Sequence, residues 1–368
     1  MTPVRRVRGT GQGLSQEKRG DFGLVHKQSG RYYNDMTPHF TLAHLSDVHL
    51  GPLPRLPLRH YNVKRVLGFL NWHRNRKAAH LRSTLDLLVA DLAAQSPDHI
   101  AVTGDLVNIG LPAEYAAAAS WLGRLGSPER VTVVPGNHDI YTHLRGDPGI
   151  ERWRAYMLPD AAGAALVAPW PGSFPFVRRF GRIALIGLNS AVPTPPFYAG
   201  GRLGAEQRER LAVILAKLGI EGGLRVVLIH HPPLPGQALR QKALEDAGEL
   251  AAILARHGAE LVLHGHNHRS MYAEQPTTGC DDPLGNSPEG TVSVVGVPSA
   301  SLGRPHTGEN LARYHLFRLP GEGGPIEMVA RGLAEPGGAI VEIERRLLGA
   351  CPSRRLLRRC ESEFFPGS

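Results

Sequence analysis

Apolar, β-branched runs recur along this chain, and each of five ends on a polar cluster. Val131 to Val134 is halted by Pro135-Gly136 and releases Asn137, His138 and Asp139. Such a run fits a buried strand, and Pro-Gly cannot continue one. The same arrangement precedes Asp47-Val48-His49, Gly104-Asp105, His230-His231-Pro232-Pro233 and His264-Gly265-His266-Asn267-His268. Five strands that deliver polar groups at their carboxyl ends predict an α/β sheet with its ligand site along that edge.

The intervening segments predict the covering helices. Leu81, Leu85, Leu88 and Leu92 step by four, three and four, the spacing of one helical face. Pro112 to Leu125, Glu206 to Leu218 and Ala238 to Arg256 read as further helices. Arg182 to Asn189, Thr291 to Val297, Ala312 to Leu319 and Ile326 to Ala330 read as strands. Residues 141–180 are irregular and are expected to loop around the site. Ile343, Leu347 and Leu348 beside Arg345 and Arg346 suggest a terminal basic helix. Residues 1–35 hold neither period and read as a flexible tail, with Met36 a candidate start just before the first strand.

Composition narrows this picture in three places. No apolar run approaches the ~18 residues of a membrane span, and the amino-terminal segment has no secretory apolar core, so cytoplasmic residence is expected. Cys280, Cys351 and Cys360 are odd in number and lack metal-ligand spacing, so they are expected as unpaired thiols. The 18 histidines matter more, because several fall in the strand-end clusters and imidazole is the commonest metal ligand.

The net charge of +9 is local: residues 55–82 hold eight Lys/Arg and no acid, and with both tails set aside the remainder of the chain is acidic. The stretch Gly51 to Arg82 interleaves these charges with leucines and aromatics. It suits a cap over an anionic substrate or a contact with an anionic membrane surface, against the plainer alternative of a solvated insert.

The strand-end residues carry the candidate chemistry. Asp47 and His49 lie two apart, so both can point to one centre, and a carboxylate with an imidazole suits a divalent transition metal. Asp105 has two oxygens and can bridge two ions, and Gly104 lets backbone pass close by. A lone Asp-x-His is more simply a surface turn; the ordered set is what is specific.

At these residues the sequence resembles the calcineurin-like metallophosphoesterases, over about residues 40–320, through Asp47-Val48-His49, Gly104-Asp105, Gly136-Asn137-His138-Asp139, His230 and Gly265-His266-Asn267-His268. The resemblance implies a four-layer α-β-β-α sandwich of two mixed sheets. It implies two divalent metal ions (Mn, Fe or Zn), one held by Asp47, His49 and His268 and the other by Asn137, His230 and His266, with Asp105 between them. Two ions ~3.5–4 Å apart would lower the pKa of a bridging water, whose hydroxide attacks phosphorus. His138 is then expected to protonate the leaving alkoxide, and Asp139 to orient that imidazole. His231 and His264 are expected to support from the interior. The division that follows is a basic tail over 1–39, a phosphoesterase domain over 40–320 with its insert at 51–82, and a closing strand with a basic helix or tail over 321–368.

Among substrates, the order and spacing are most similar to the bacterial class III cyclic-nucleotide phosphodiesterase branch, which shares Gly-Asn-His-Asp and Gly-His-x-His. A 3′,5′-cyclic nucleotide or another small phosphodiester is therefore expected. A UDP-2,3-diacylglucosamine-type pyrophosphatase at the inner membrane face is the alternative, recommended by the insert and opposed by His138, where that enzyme's common form resembles Gly-Asn-Arg-Asp. A nuclease ranks below, since the positive charge is confined and no stacking platform is evident. A non-catalytic scaffold on the same fold would have been free to lose ligands that this chain retains.

Overall fold

Strand pairing gathers the five polar ends onto one edge. The computed structural model describes residues 39–143, 146–167, 173–278, 290–306, 308–321 and 324–350. The tail, Cys280, and the C-terminal segment with Cys351 and Cys360 lie outside the described residues. In chain order the strands are β1 (His39–Leu45), β2 (His99–Val102), β3 (Val131–Val133), β4 (Phe176–Phe180), β5 (Ile183–Gly187), β6 (Leu224–Leu228), β7 (Leu261–His264), β8 (Met271–Pro276), β9 (Thr291–Gly296), β10 (Arg313–Pro320), β11 (Pro325–Leu333) and β12 (Ile340–Ala350). The helices are α1 (Val63–Asn71), α2 (Arg82–Ala94), α3 (Pro112–Leu125), α4 (Ala161–Val167), α5 (Ala205–Glu221) and α6 (Ala247–His257).

Two mixed sheets form, ordered β12-β11-β10-β1-β2-β3 and β4-β5-β6-β7-β9-β8. Parallel pairing joins β1, β2 and β3 in the first and β5, β6, β7 and β9 in the second. Each parallel set therefore ends at one edge, as α/β ligand sites require. Side chains alternate across a strand. In the second sheet Leu185, Val226 and Leu263 feed the core shared with the first sheet, while Ile186, Val227 and Val262 pack beneath α5 and α6 through Leu211, Ile214, Leu250 and Leu254. Leu85, Leu88 and Leu92 of α2 and Tyr115 and Trp121 of α3 cover the first sheet. The protein is thus an α-β-β-α sandwich of two mixed sheets.

Three segments differ from the sequence expectation. Residues 340–350 form strand β12 rather than a basic helix. Pairing with β11 satisfies that strand's backbone, and Glu327 takes charge from both Arg318 and Arg345 across the ladder. Helix α6 begins at Ala247, because the chain from 238 to 246 is tied up in turns against Ala199 and Gly201. Within 141–180, β4 is fixed by the Arg178 guanidinium, which donates to the carbonyls of Leu158, Val131 and Ala155, and α4 by Asp160, whose carboxylate accepts the Gly163 and Arg179 backbone N–H groups. Among the described residues, no helix is long and apolar enough to cross a membrane.

Candidate metal centre

The loops leaving β1, β2 and β7 turn through unusual backbone. Asp47 (φ 53°), His49 (φ 42°), Asp105 (φ 56°), His266 (φ 71°) and His268 (φ 53°) are all left-handed, as few non-glycine residues are. Strain of this kind persists where surrounding structure imposes it, commonly at functional sites. Gly104 (φ 92°) and Gly136 make the crowding possible: a Cβ on Gly104 would collide with the Gly136 backbone, and one on Gly136 would collide with the Asp105 carboxylate.

Two clusters result. In the first, His268 Nε2 lies 3.1 Å from Asp47 Oδ1 and 3.3 Å from His49 Nε2. In the second, Asn137 Oδ1 lies 3.1 Å from His230 Nε2 and 2.9 Å from His266 Nδ1, and those two nitrogens are 3.2 Å apart. Asp105 Oδ2 stands between them, 3.4 Å from His230 Nε2 and 3.9 Å from His49 Nε2. All seven groups expected as ligands are therefore brought together, and all are buried.

The donor set fits divalent cations. His230 Nδ1 is 2.6 Å from the Thr103 carbonyl and His49 Nδ1 is 3.3 Å from that of Val107, so each donates there and turns its Nε2 lone pair inward. Among the described residues His266 Nε2 is buried with no hydrogen-bond partner, and its Nδ1 faces Asn137 Oδ1 and His230 Nε2. Lone pairs and carboxylates that confront one another repel unless a cation or proton lies between them. Burial alone would lower His230 and His268, yet Asp105 and Asp47 respectively push both up to about 9. Burial would likewise raise Asp47, but the charge and hydrogen bond of His268 hold it well below the carboxylate range.

His138 sits at the opening, with 19% of its side chain exposed. Its Nδ1 donates to the Asn108 carbonyl and its Nε2 is 4.0 Å from Asp105 Oδ2. Burial lowers this imidazole to about 4, against the pull of Asp105. Asp139, expected to orient that ring, does something else. Its carboxylate accepts the backbone N–H groups of Asp105 (2.8 Å), Leu106 (2.9 Å), Val107 (3.2 Å) and Gly136 (2.9 Å), pinning the Asp105 loop to the Asn137 loop. The ring follows Asn108 instead because the Asp139 oxygens are spent on backbone.

His231 uses both ring nitrogens away from the centre, on Ser190 Oγ (2.8 Å) and the Ala199 carbonyl (3.1 Å), while its ring packs against His266. His264 faces the Gly265 carbonyl at 3.1 Å. Two further neighbours belong to none of the strand-end motifs. Glu309 Oε1 lies 3.2 Å from His268 Nδ1, a carboxylate behind an inward-facing imidazole. Arg76 reaches in from the insert, 2.7 Å from His49 Nε2 and 3.3 Å from His138 Nε2. The only sequence signal for either is charge within an insert or loop.

The chain is similar to known proteins. A family model described as calcineurin-like phosphoesterase matches residues 40–270. A glycerophosphodiester phosphodiesterase of Enterobacter lignolyticus is 31% identical over 235 residues, 62% of this chain and 70% of that protein. A cAMP/cGMP dual specificity phosphodiesterase of Mycobacterium tuberculosis is 26% identical over 244 residues; the match covers 64% of each, so this chain spans less than two thirds of that relative. In fold, a dimetal phosphatase from Danio rerio superposes with a TM-score of 0.54 at 14% identity, over 85% of this chain and 99% of that one.

Proposed function

The chain belongs to the calcineurin-like phosphoesterase family and is a hydrolase of phosphoric esters, and from that premise we propose that it cleaves a small phosphodiester, a 3′,5′-cyclic nucleotide or a similar diester. The observation that carries this is the confrontation of acceptors at 2.9–3.4 Å in two adjoining clusters, with a partly open His138 beside them. Relatives named for glycerophosphodiester and cyclic nucleotide hydrolysis support the diester class.

Asp47, His49 and His268 would hold one divalent ion and Asn137, His230 and His266 the other, with Asp105 shared. Ions held there would act as Lewis acids at the phosphoryl oxygen and supply a nucleophilic water at neutral pH. Mn, Fe and Zn suit this mixed nitrogen and oxygen set better than Mg or Ca. The residues do the rest. Tethers from Thr103 and Val107 fix the imidazole tautomers, Asp139 fixes the Asp105 loop, and Asn108 aims His138 Nε2 at the opening. A phosphoryl anion beside that ring would favour its protonated form, which then gives the Nε2 proton to the leaving oxygen.

A second class of substrate is favoured by one feature of the insert. Leu58, Tyr61 and Val63 are exposed there at 81%, 55% and 68% beside Arg55 and Arg59. An apolar and basic surface of this kind suits the diacyl pyrophosphate of a nucleotide-linked lipid at an anionic membrane face. A panel with Mn²⁺ supplied tests both readings: bis-p-nitrophenyl phosphate, cyclic AMP and cyclic GMP, a glycerophosphodiester, a nucleotide-diphospho-lipid and DNA. Turnover of the soluble diesters is expected. Lipid turnover without soluble diester turnover would replace the first reading by the second.

A further inference from the structure

The insert is bolted to the site rather than solvated beside it. Asn62 caps α1 by accepting the Arg65 backbone N–H at 2.8 Å. The buried Arg65 guanidinium donates to the carbonyls of Gly110 (2.7 Å) and Ile109 (3.2 Å), just beyond Asn108. Lys64 Nζ reaches the Tyr141 carbonyl at 3.0 Å and Thr194 Oγ1 at 2.8 Å, and the Tyr141 hydroxyl donates back to the Lys64 carbonyl. Beyond α1 the chain winds into one π-helical turn, Trp72–Arg76. Such turns are rare and frequently mark functional sites. Trp72 is buried in a stack against His80 and anchors the turn.

Arg76 closes that turn, and its hydrogen-bond partners are the nitrogens of His49 and His138 rather than carboxylates. A guanidinium has five donors in a planar fork. The two used here end on lone pairs that an ion on His49 and a proton on His138 would each take, so in the loaded site both are released. Holding a positive charge at the mouth of a site built for cations is unfavourable unless an anion completes it. Arginine's fork matches phosphoryl oxygens in shape and charge.

Resting on the phosphodiester reading above, we propose that Arg76 binds a non-bridging oxygen of the substrate's phosphoryl group beside His138, which makes the 51–82 insert part of the substrate site. Charge that grows on the phosphoryl oxygens as the ester bond breaks is stabilised by the same guanidinium. The leaving alkoxide takes its proton from His138, so Arg76 neither gains nor loses one.

The test compares Arg76→Gln and Arg76→Lys with the wild type in the full chain. Metal per chain is measured first, and all three proteins are expected to carry the same amount. With Mn²⁺ present, the dissociation constant for inorganic phosphate by calorimetry is expected to rise at least about tenfold in Arg76→Gln and less in Arg76→Lys. kcat/KM for bis-p-nitrophenyl phosphate is expected to fall ~10²–10³-fold in Arg76→Gln, the scale of one lost oxyanion donor. Wild-type phosphate affinity in Arg76→Gln with metal intact overturns the proposal. So does metal loss in both variants, which would make Arg76 a prop for the centre. Should Arg76→Gln not fold, Arg76→Lys decides alone: unchanged phosphate affinity and kcat/KM would show that the fork is not used. A wild type that binds phosphate through Arg76 yet turns over no ester removes the phosphodiester reading and leaves the anion site standing.

Discussion

Two sets of buried histidines divide this molecule. At the strand ends His49, His138 and His230 each anchor Nδ1 on a backbone carbonyl and turn Nε2 toward Asp105, while His268 has Glu309 3.2 Å behind its Nδ1 and faces Asp47 with Nε2. Within the first sheet and among the described residues, His44 and His99 reach the hydroxyls of Thr103 and Thr132, each with Nδ1 unpartnered, and neither ring nitrogen of His315 has a hydrogen-bond partner. Burial is shared by both sets. Carboxylates change the outcome for two of them: His230 and His268 rise to about 9, whereas burial still lowers His138 to about 4 and sends His99 and His315 down to about 3. For His49, His138, His230 and His268 a group behind the ring and a carboxylate before it fix which nitrogen faces the centre; His266 is placed instead by the close approach of Asn137 and His230.

Removing the anion common to both clusters is the severest challenge to that contrast. Asp105→Ala is expected to bring turnover to background and to strip metal from both clusters, read by elemental analysis and by hydrolysis of bis-p-nitrophenyl phosphate. Retention of both ions would mean that the imidazoles suffice. His138→Ala should come next, keeping the metal while lowering turnover ~10²–10⁴-fold, the usual worth of a general acid. Metal loss in that variant would move His138 among the ligands.

A milder change probes the tether. Glu309→Gln keeps shape but removes the charge behind His268, and an ion in the Asp47 cluster is expected to bind ~10–100-fold more weakly with the second cluster little affected. Competition with a chromophoric chelator separates the two steps. Equal weakening of both would show that Glu309 acts on the whole loop.

The strand-end residues were legible because an apolar run that stops abruptly on Asp, Asn or His marks the point where a buried strand meets a polar site, and because β1, β2, β3, β6 and β7 each obey that grammar. What escaped was contact between segments without such a pattern. Glu309 lies 41 positions beyond His268 in an irregular loop, with no period to place it. Arg76 was visible as charge in the insert, but charge alone does not say that a π-helical turn points it inward. Asp139 is adjacent to His138 in sequence, which suggests a pairing, whereas four backbone N–H donors claim its oxygens. Residues 340–350 present Leu347 and Leu348 beside two arginines, which fits a helix locally; the exposed edge of β11 and the charge of Glu327 decide for a strand.

The sheet histidines offer the smallest effect, and it separates the two sets by pH. His99 and His315 have folded pKa values of about 3 against the ordinary 6.5, so between those values the unfolded chain binds protons that the folded chain does not. Stability from these two groups is therefore complete above pH ~6.5 and falls as pH drops toward ~3, at about 1.4 kcal/mol per pH unit for each histidine. Denaturant midpoints near pH 7.5 and near pH 5 measure the slope. His315→Leu is expected to flatten it by one histidine's share, to change stability near pH 7.5 by no more than about 1 kcal/mol because the removed nitrogens have no hydrogen-bond partners among the described residues, and to leave metal content and turnover untouched. An unchanged slope would mean that His315 is already hydrated or partnered in solution. Lost metal would place it in the first set, and the distinction between a tethered imidazole and a merely buried one would then fail at its clearest example.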